Sequence, residues 1–163
     1  MRVGDSDSGL KRVSEYSMGN QKLEYCDTER DLGVIMSTDL KVESQCNEAC
    51  LRANRMLGLI KRTFVVKTPE VMLNLYKTLV RPHLEYCISA WSPHYQKDKK
   101  LLEKVQHRFT RMITSIKPLQ YEARLQKLGL WTLEECRNRA DLIEVFKMAH
   151  GFFCHTINRH VPD

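Results

Sequence analysis

No apolar run in the chain approaches the roughly 20 residues needed to cross a bilayer. The opening Met1-Arg2-Val3-Gly4-Asp5-Ser6-Asp7 has no apolar signal core either. A membrane or secreted protein is therefore not expected, and the chain reads as intracellular, in cytoplasm or nucleus. There is no Asp-Asp pair, and thus no clustered carboxylates of the kind that hold two catalytic metals about 4 Å apart. Asp5 and Asp7 are close in sequence, but they sit in a Gly/Ser-rich segment with no strand to present them. Phosphate-binding loops, Gly-x-Ser-x-Gly elbows and His-Glu-x-x-His helices are also missing. His83-Leu84-Glu85 has the His-x-Glu spacing of a zinc deaminase but lacks the Pro-Cys-x-x-Cys that completes it. These absences predict no enzyme in this chain as it stands, with no catalytic residues and no cofactor.

Cysteine is present without a pattern. The six cysteines have neither the paired spacing of a disulfide scaffold nor that of a zinc finger, and they are expected to be reduced and mostly buried. His150, Cys154, His155 and His160, with Cys136 nearby, have the right chemistry for zinc. Their spacing matches no regular finger or knuckle, so no metal is expected.

What the chain does have is an uneven charge. Residues 1–44 carry 6 Lys/Arg against 9 Asp/Glu, residues 45–118 carry 14 against 5, and residues 119–163 carry 6 against 6. The basic excess lies entirely in the middle, where a positive field attracts polyanions such as nucleic acid or an acidic membrane surface.

The local patterns predict a mainly α protein with a small N-terminal β-hairpin. Gly19-Asn20 is a turn signal between short extended runs. Leu23-Glu24-Tyr25 and Leu32-Gly33-Val34-Ile35-Met36 are candidate strands. Cys46, Ala49, Cys50, Ala53, Met56, Leu57 and Ile60 then form one apolar stripe at helical spacing. Thr68-Pro69 starts a second helix, which Pro82 should end or kink. Leu84 to Trp91 is expected to continue as helix, stopped by Ser92-Pro93. A third helix runs from about Asp98 to Thr114. A short one, Tyr121 to Leu128, ends at Gly129. Thr132-Leu133-Glu134-Glu135 is a capping box opening a fourth long helix through Cys136, Ala140, Ile143, Phe146 and Ala149. Three segments are expected: 1–43 with the hairpin, a helical bundle over 44–118, and a helical extension over 119–163.

Charge and periodicity combine on two of these helices. At 100° per residue, Lys97, Lys100, Lys104, Arg108 and Arg111 fall within an arc of about 80° beside the apolar stripe. Arg52, Arg55 and Arg62 fall in the same relation to the stripe of the first helix. Packed together, the two helices would offer rows of cations to a phosphate backbone, giving non-specific and salt-sensitive contact.

The order of several blocks resembles the region just after the catalytic palm in reverse transcriptases of LINE-type (non-LTR) retrotransposons, of the jockey-like and chicken-repeat clades. Asp31-Leu32-Gly33-Val34 resembles the hairpin ending the palm. Ala53-Asn54-Arg55-Met56-Leu57-Gly58 resembles the first thumb helix. Leu79-Val80-Arg81-Pro82-His83-Leu84-Glu85-Tyr86-Cys87 and Ala90-Trp91-Ser92-Pro93 resemble the next block, and Leu102-Glu103-Lys104-Val105-Gln106-His107-Arg108-Phe109-Thr110-Arg111 the helix after it. Tyr121-Glu122-Ala123-Arg124-Leu125, Leu128-Gly129-Leu130 and Arg139-Ala140-Asp141-Leu142-Ile143 resemble the last segment. The likeness covers roughly residues 17–151.

This resemblance implies a thumb-like bundle with an edge of a truncated palm. The thumb would hold an RNA–DNA duplex by backbone shape and charge. Leu32, Gly33 and Val34 would be primer-grip-like. The family's Tyr-x-Asp-Asp strand, fingers and endonuclease have no counterpart here, so RNA-directed DNA polymerase activity is implied for the family and not for this chain. Pro82, Tyr86 and Trp91 are expected to fix the bundle. The alternative is a small helical protein-interaction module with no nucleic-acid role, using exposed apolar surface to reach protein partners.

Overall fold

The stripe of small side chains on the first long helix decides the packing. In the computed structural model, which describes residues 16–22, 26–65 and 67–152, α1 spans Glu43–Thr63 and buries Cys46, Ala49, Cys50, Ala53, Leu57 and Ile60. Small residues let a neighbouring helix approach closely, and α1 packs most extensively against α5, Gln96–Arg111. Lys97 bonds to Glu43 and Arg108 to Asn54, at the same offset of 54 residues, so the two helices run parallel and bring their C-terminal ends together.

Between them in sequence lies a helical run that passes through a proline. α2 spans Pro69–Leu75, a π turn spans Tyr76–Val80, and α3 spans Arg81–Glu85. Pro82 was expected to end or kink this helix. Proline has no amide to bond the Thr78 carbonyl, and its ring crowds that carbonyl. The π turn widens the helix just there, with the Arg81 amide bonding back to the Tyr76 carbonyl, and the chain continues past Pro82 as helix. The expected continuation from Leu84 to Trp91 is instead interrupted at Tyr86-Cys87, where Cys87 takes the left-handed conformation at φ 52°. The short α4, Ile88–Trp91, follows.

One core cluster joins Val34 through α1, α2, α3 and α5 to Leu133. Tyr76 stacks on Phe109 with centroids 4.2 Å apart. Trp91 is fully buried, and its indole Nε1 donates to the Tyr86 carbonyl at 2.7 Å.

A chain of polar groups on α5 fixes the C-terminal helices. α6 spans Tyr121–Leu128 and α7 spans Leu133–Ala149. The Tyr76 hydroxyl donates to Gln106 Oε1 at 2.5 Å, and Gln106 Nε2 donates to the Trp131 carbonyl at 2.9 Å and the Tyr121 hydroxyl at 3.2 Å. The Tyr121 hydroxyl donates to Glu103. The other oxygen of Glu103 accepts from the Leu133 amide at 3.0 Å, satisfying a donor at the start of α7. The Thr132–Glu135 capping box is present as its sequence implied, and Gly129 closes α6 at φ 61°.

Among its described residues the N-terminal part forms two small antiparallel hairpins. β1, Ser17–Met18, pairs with β2, Gln21–Lys22, across Gly19-Asn20. β3, Thr28–Asp31, pairs with β4, Val34–Ser37. Leu32-Gly33 is therefore the turn of the second hairpin rather than part of a strand, with φ of 45° and 87°. The Leu23-Glu24-Tyr25 strand lies outside the described residues. β4 is tied to α1 by the Ile35 amide, which donates to Gln45 Oε1 at 2.9 Å.

Two expectations about burial need correction. Among the described cysteines, Cys46 and Cys50 are buried, but Cys26 and Cys87 are exposed and Cys136 is half-buried; Cys26 precedes an edge strand and Cys87 sits in a surface turn. The second half of α7 leaves the bundle, so Ile143 and Phe146 are exposed, Phe146 by 54%. The fold is mainly α with a small N-terminal hairpin element, and no helix among the described residues is long and apolar enough to cross a membrane.

Candidate nucleic-acid interface

The parallel packing of α1 and α5 sorts the basic stripe into two halves. At the N-terminal end Lys97 and Arg52 are neutralised. Lys97 Nζ lies 2.7 Å from Glu43, and this carboxylate holds the ammonium above its ordinary value. Arg52 Nε lies 2.8 Å from Glu48, which Arg30 also approaches at 3.7 Å. The Arg52 hydrogen bond pulls the Glu48 carboxyl below the usual range.

At the C-terminal end the cations gather instead around a groove of about 350 Å³. Lys61 comes from the last turn of α1, Lys67 from the following connection, Arg108 and Arg111 from the last turn of α5, and Lys117 from the segment after it. Asn54, which also lines the groove, accepts from Arg108 Nη1 at 3.1 Å. No carboxylate among the described residues lines it. Cations in the last turn also complement the helix dipole, so both helices favour positive charge at this end before any ligand arrives.

Gly58 lines the groove on the α1 side. A Cβ there would meet nothing within 4 Å, so packing inside the protein does not require glycine. In a helix interior glycine is destabilising by roughly 0.5–1 kcal/mol relative to alanine. Its effect on the surface is to leave the α1 backbone without a side chain at the groove.

The expected site residues thus separate. Arg108 and Arg111 line the groove. Arg55, Arg62, Lys100 and Lys104 are exposed on the same two helices and pair with no carboxylate among the described residues. Arg52 and Lys97 are paired within the protein. Lys61, Lys67 and Lys117 were not singled out by the helical-wheel reading. Lys67 and Lys117 lie outside helices, where no periodicity marks them; only the charge count over 45–118 contained them.

The hairpin residues have a different setting. Val34 is in the core. Leu32 is 82% exposed at the tip, its carbonyl accepting from the Tyr86 hydroxyl at 3.0 Å. Gly33 faces the Tyr86 ring, where an added Cβ would lie 3.7 Å from it. Tyr86 thereby ties the hairpin to the turn after α3, which accounts for an exposed tyrosine in that turn. No group of three or more His, Cys, Asp or Glu able to hold a metal occurs among the described residues; Cys154, His155 and His160 fall outside them.

No protein-family model, curated protein or solved structure matches this chain. Function is therefore read from the groove itself.

Proposed function

We propose that this protein binds nucleic acid through the sugar–phosphate backbone, seating phosphates in the groove between the C-terminal ends of α1 and α5. The carrying observation is that Lys61, Lys67, Arg108, Arg111 and Lys117 line one groove with no carboxylate among them. Such contacts position a backbone without reading bases. The family resemblance supports the same reading, because these helices would then be thumb-like helices that hold an RNA–DNA duplex while chemistry belongs to another domain. The test is a titration of fluorescent RNA–DNA duplexes of unrelated sequence. Equal affinity across sequences and steep weakening with salt are expected. Binding confined to one sequence, or indifferent to salt, would overturn the proposal.

A second reading has one observation in its favour. Leu142, Val145, Phe146 and Met148 are all exposed on the end of α7, and an apolar surface of this kind fits a protein partner. That reading predicts no binding to the duplex even at low salt.

A further inference from the structure

The last turns of α7 differ in chemistry from every other exposed helix surface of the bundle. From Leu142 to Ala149 the only polar side chains are Glu144 and Lys147, which lie 2.9 Å from each other. At 100° per residue the apolar side chains around them cover an arc of about 220°. A helix apolar over so wide an arc belongs in an interior. Here Leu142 is 70% exposed, Val145 62% and Met148 67%, and Ile143, Phe146 and Phe152 are exposed with them. At about 150–250 Å² for a large side chain, six at such exposures present on the order of 600–800 Å². The largest apolar patch of a typical monomer is about 300–600 Å². Each partner in a stable interface buries about 800 Å², so this patch supplies most of one side.

Two observations say what covers it. The first is charge. The chain carries +6, yet residues 119–163 hold 6 Lys/Arg against 6 Asp/Glu. Two copies repel each other through their basic middle segments and meet least opposition at this balanced end. The second is that the patch matches itself. A two-fold axis crossing α7 between Val145 and Phe146 sets two copies of the helix antiparallel. Leu142 of one copy is then level with Ala149 of the other, a large side chain facing a small one. Val145 and Phe146 meet their own copies at the axis. Asp141 and Glu144 of one copy come level with His150 and Lys147 of the other. An isologous contact requires this kind of self-matching, and large side chains facing small ones interdigitate.

We propose that the end of α7 is a homodimer interface, on which a second copy of this chain lays its own α7 antiparallel over Leu142, Val145, Phe146 and Ala149. The proposal takes from the second reading above only the exposure of this surface. Duplex binding in the basic groove can hold or fail without deciding it.

Sedimentation equilibrium of the full chain tests it. The parent is expected to pass from the monomer mass to twice that mass as its concentration rises through the micromolar range. Leu142→Glu with Phe146→Glu should weaken the association about a hundredfold or more, because it forces charge into an apolar contact. Both positions are exposed, so the melting temperature of the dilute double variant should stay at that of the parent. Ala149→Leu separates the stated register from general stickiness. It should weaken the dimer by crowding Leu142 of the other copy, and adding Leu142→Ala to the same chain should restore it. A parent that stays monomeric through the same concentrations would assign the surface to a different protein and overturn the proposal. Association that survives the double glutamate variant, or that strengthens with Ala149→Leu, would overturn it as well.

Discussion

Single residues in this protein carry both its strain and its cohesion. Leu32 takes φ 45° in a two-residue hairpin turn, a conformation that favours Asn or Gly and costs a branched side chain about 1–2 kcal/mol. Its side chain is exposed, so Leu32→Asn is expected to raise stability by up to about 1 kcal/mol, read from a denaturant titration. Tyr76→Phe should act the other way. It deletes the hydroxyl that donates to Gln106 and leaves a buried acceptor unmet, at a cost of about 1–3 kcal/mol. Burial pushes the Cys46 thiol up to about 12 and the Cys50 thiol up to about 11, from an ordinary 9.0. Above pH 9 the unfolded chain releases these protons while the folded one keeps them. Stability is therefore complete below pH 9 and falls as pH rises from 9 towards 11, by up to about 1.4 kcal/mol per unit for each thiol. Thermal melts across that range check the slope. Alkylation should find Cys26 and Cys87 in the native protein, and Cys46 and Cys50 only after unfolding.

At the scale of elements, the parts legible in sequence are those set by local chemistry. The α1 stripe, the Thr132–Glu135 box and Gly129 depend on residues a few positions apart, and each is where its pattern placed it. Thr132→Ala is accordingly expected to cost about 1 kcal/mol, through loss of one cap. The parts not legible depend on long-range partners. Pro82 reads as an end or a kink of the helix, because nothing nearby in sequence announces the π turn that lets the helix pass it. Leu32-Gly33 looked like strand interior because alternation alone does not show where a hairpin turns; the Tyr86 hydroxyl, 54 residues away, holds that turn. Ile143 and Phe146 have helical spacing, yet spacing cannot say whether a partner exists on that side. Gly58 belongs here too. With open space around its Cβ position, Gly58→Ala should stabilise α1 by roughly 0.5–1 kcal/mol while weakening duplex binding, because the new methyl stands in the groove. A stabilised variant that binds as well as the parent would remove any role for that glycine in ligand approach.

At the scale of the whole molecule, the charge argument was half legible. Counting by segment shows the basic excess over 45–118, and the wheel includes Arg108 and Arg111, which the structure places at the groove. The Glu48–Arg52 pair, four residues apart on α1, is local and could be read from the sequence, but the wheel could not show that Glu43 neutralises Lys97, because that pairing crosses between two folded helices. Nor could it show that Lys67 and Lys117, both outside helices, fold back to the same groove. The parallel alignment of α1 with α5 sets Glu43 beside Lys97 at one end and brings Lys61, Arg108 and Arg111 together at the other.

The most direct measurement is the salt dependence of duplex binding for groove and stripe variants side by side. Each neutralised phosphate contributes about 0.9 to the slope of log K against log salt, so five groove cations imply a slope steeper than about −4. Lys61→Ala with Arg111→Ala should flatten it by about 2, while Lys97→Ala should leave it essentially unchanged. A slope near zero for the parent, or an equal loss from Lys97→Ala, would contradict the account.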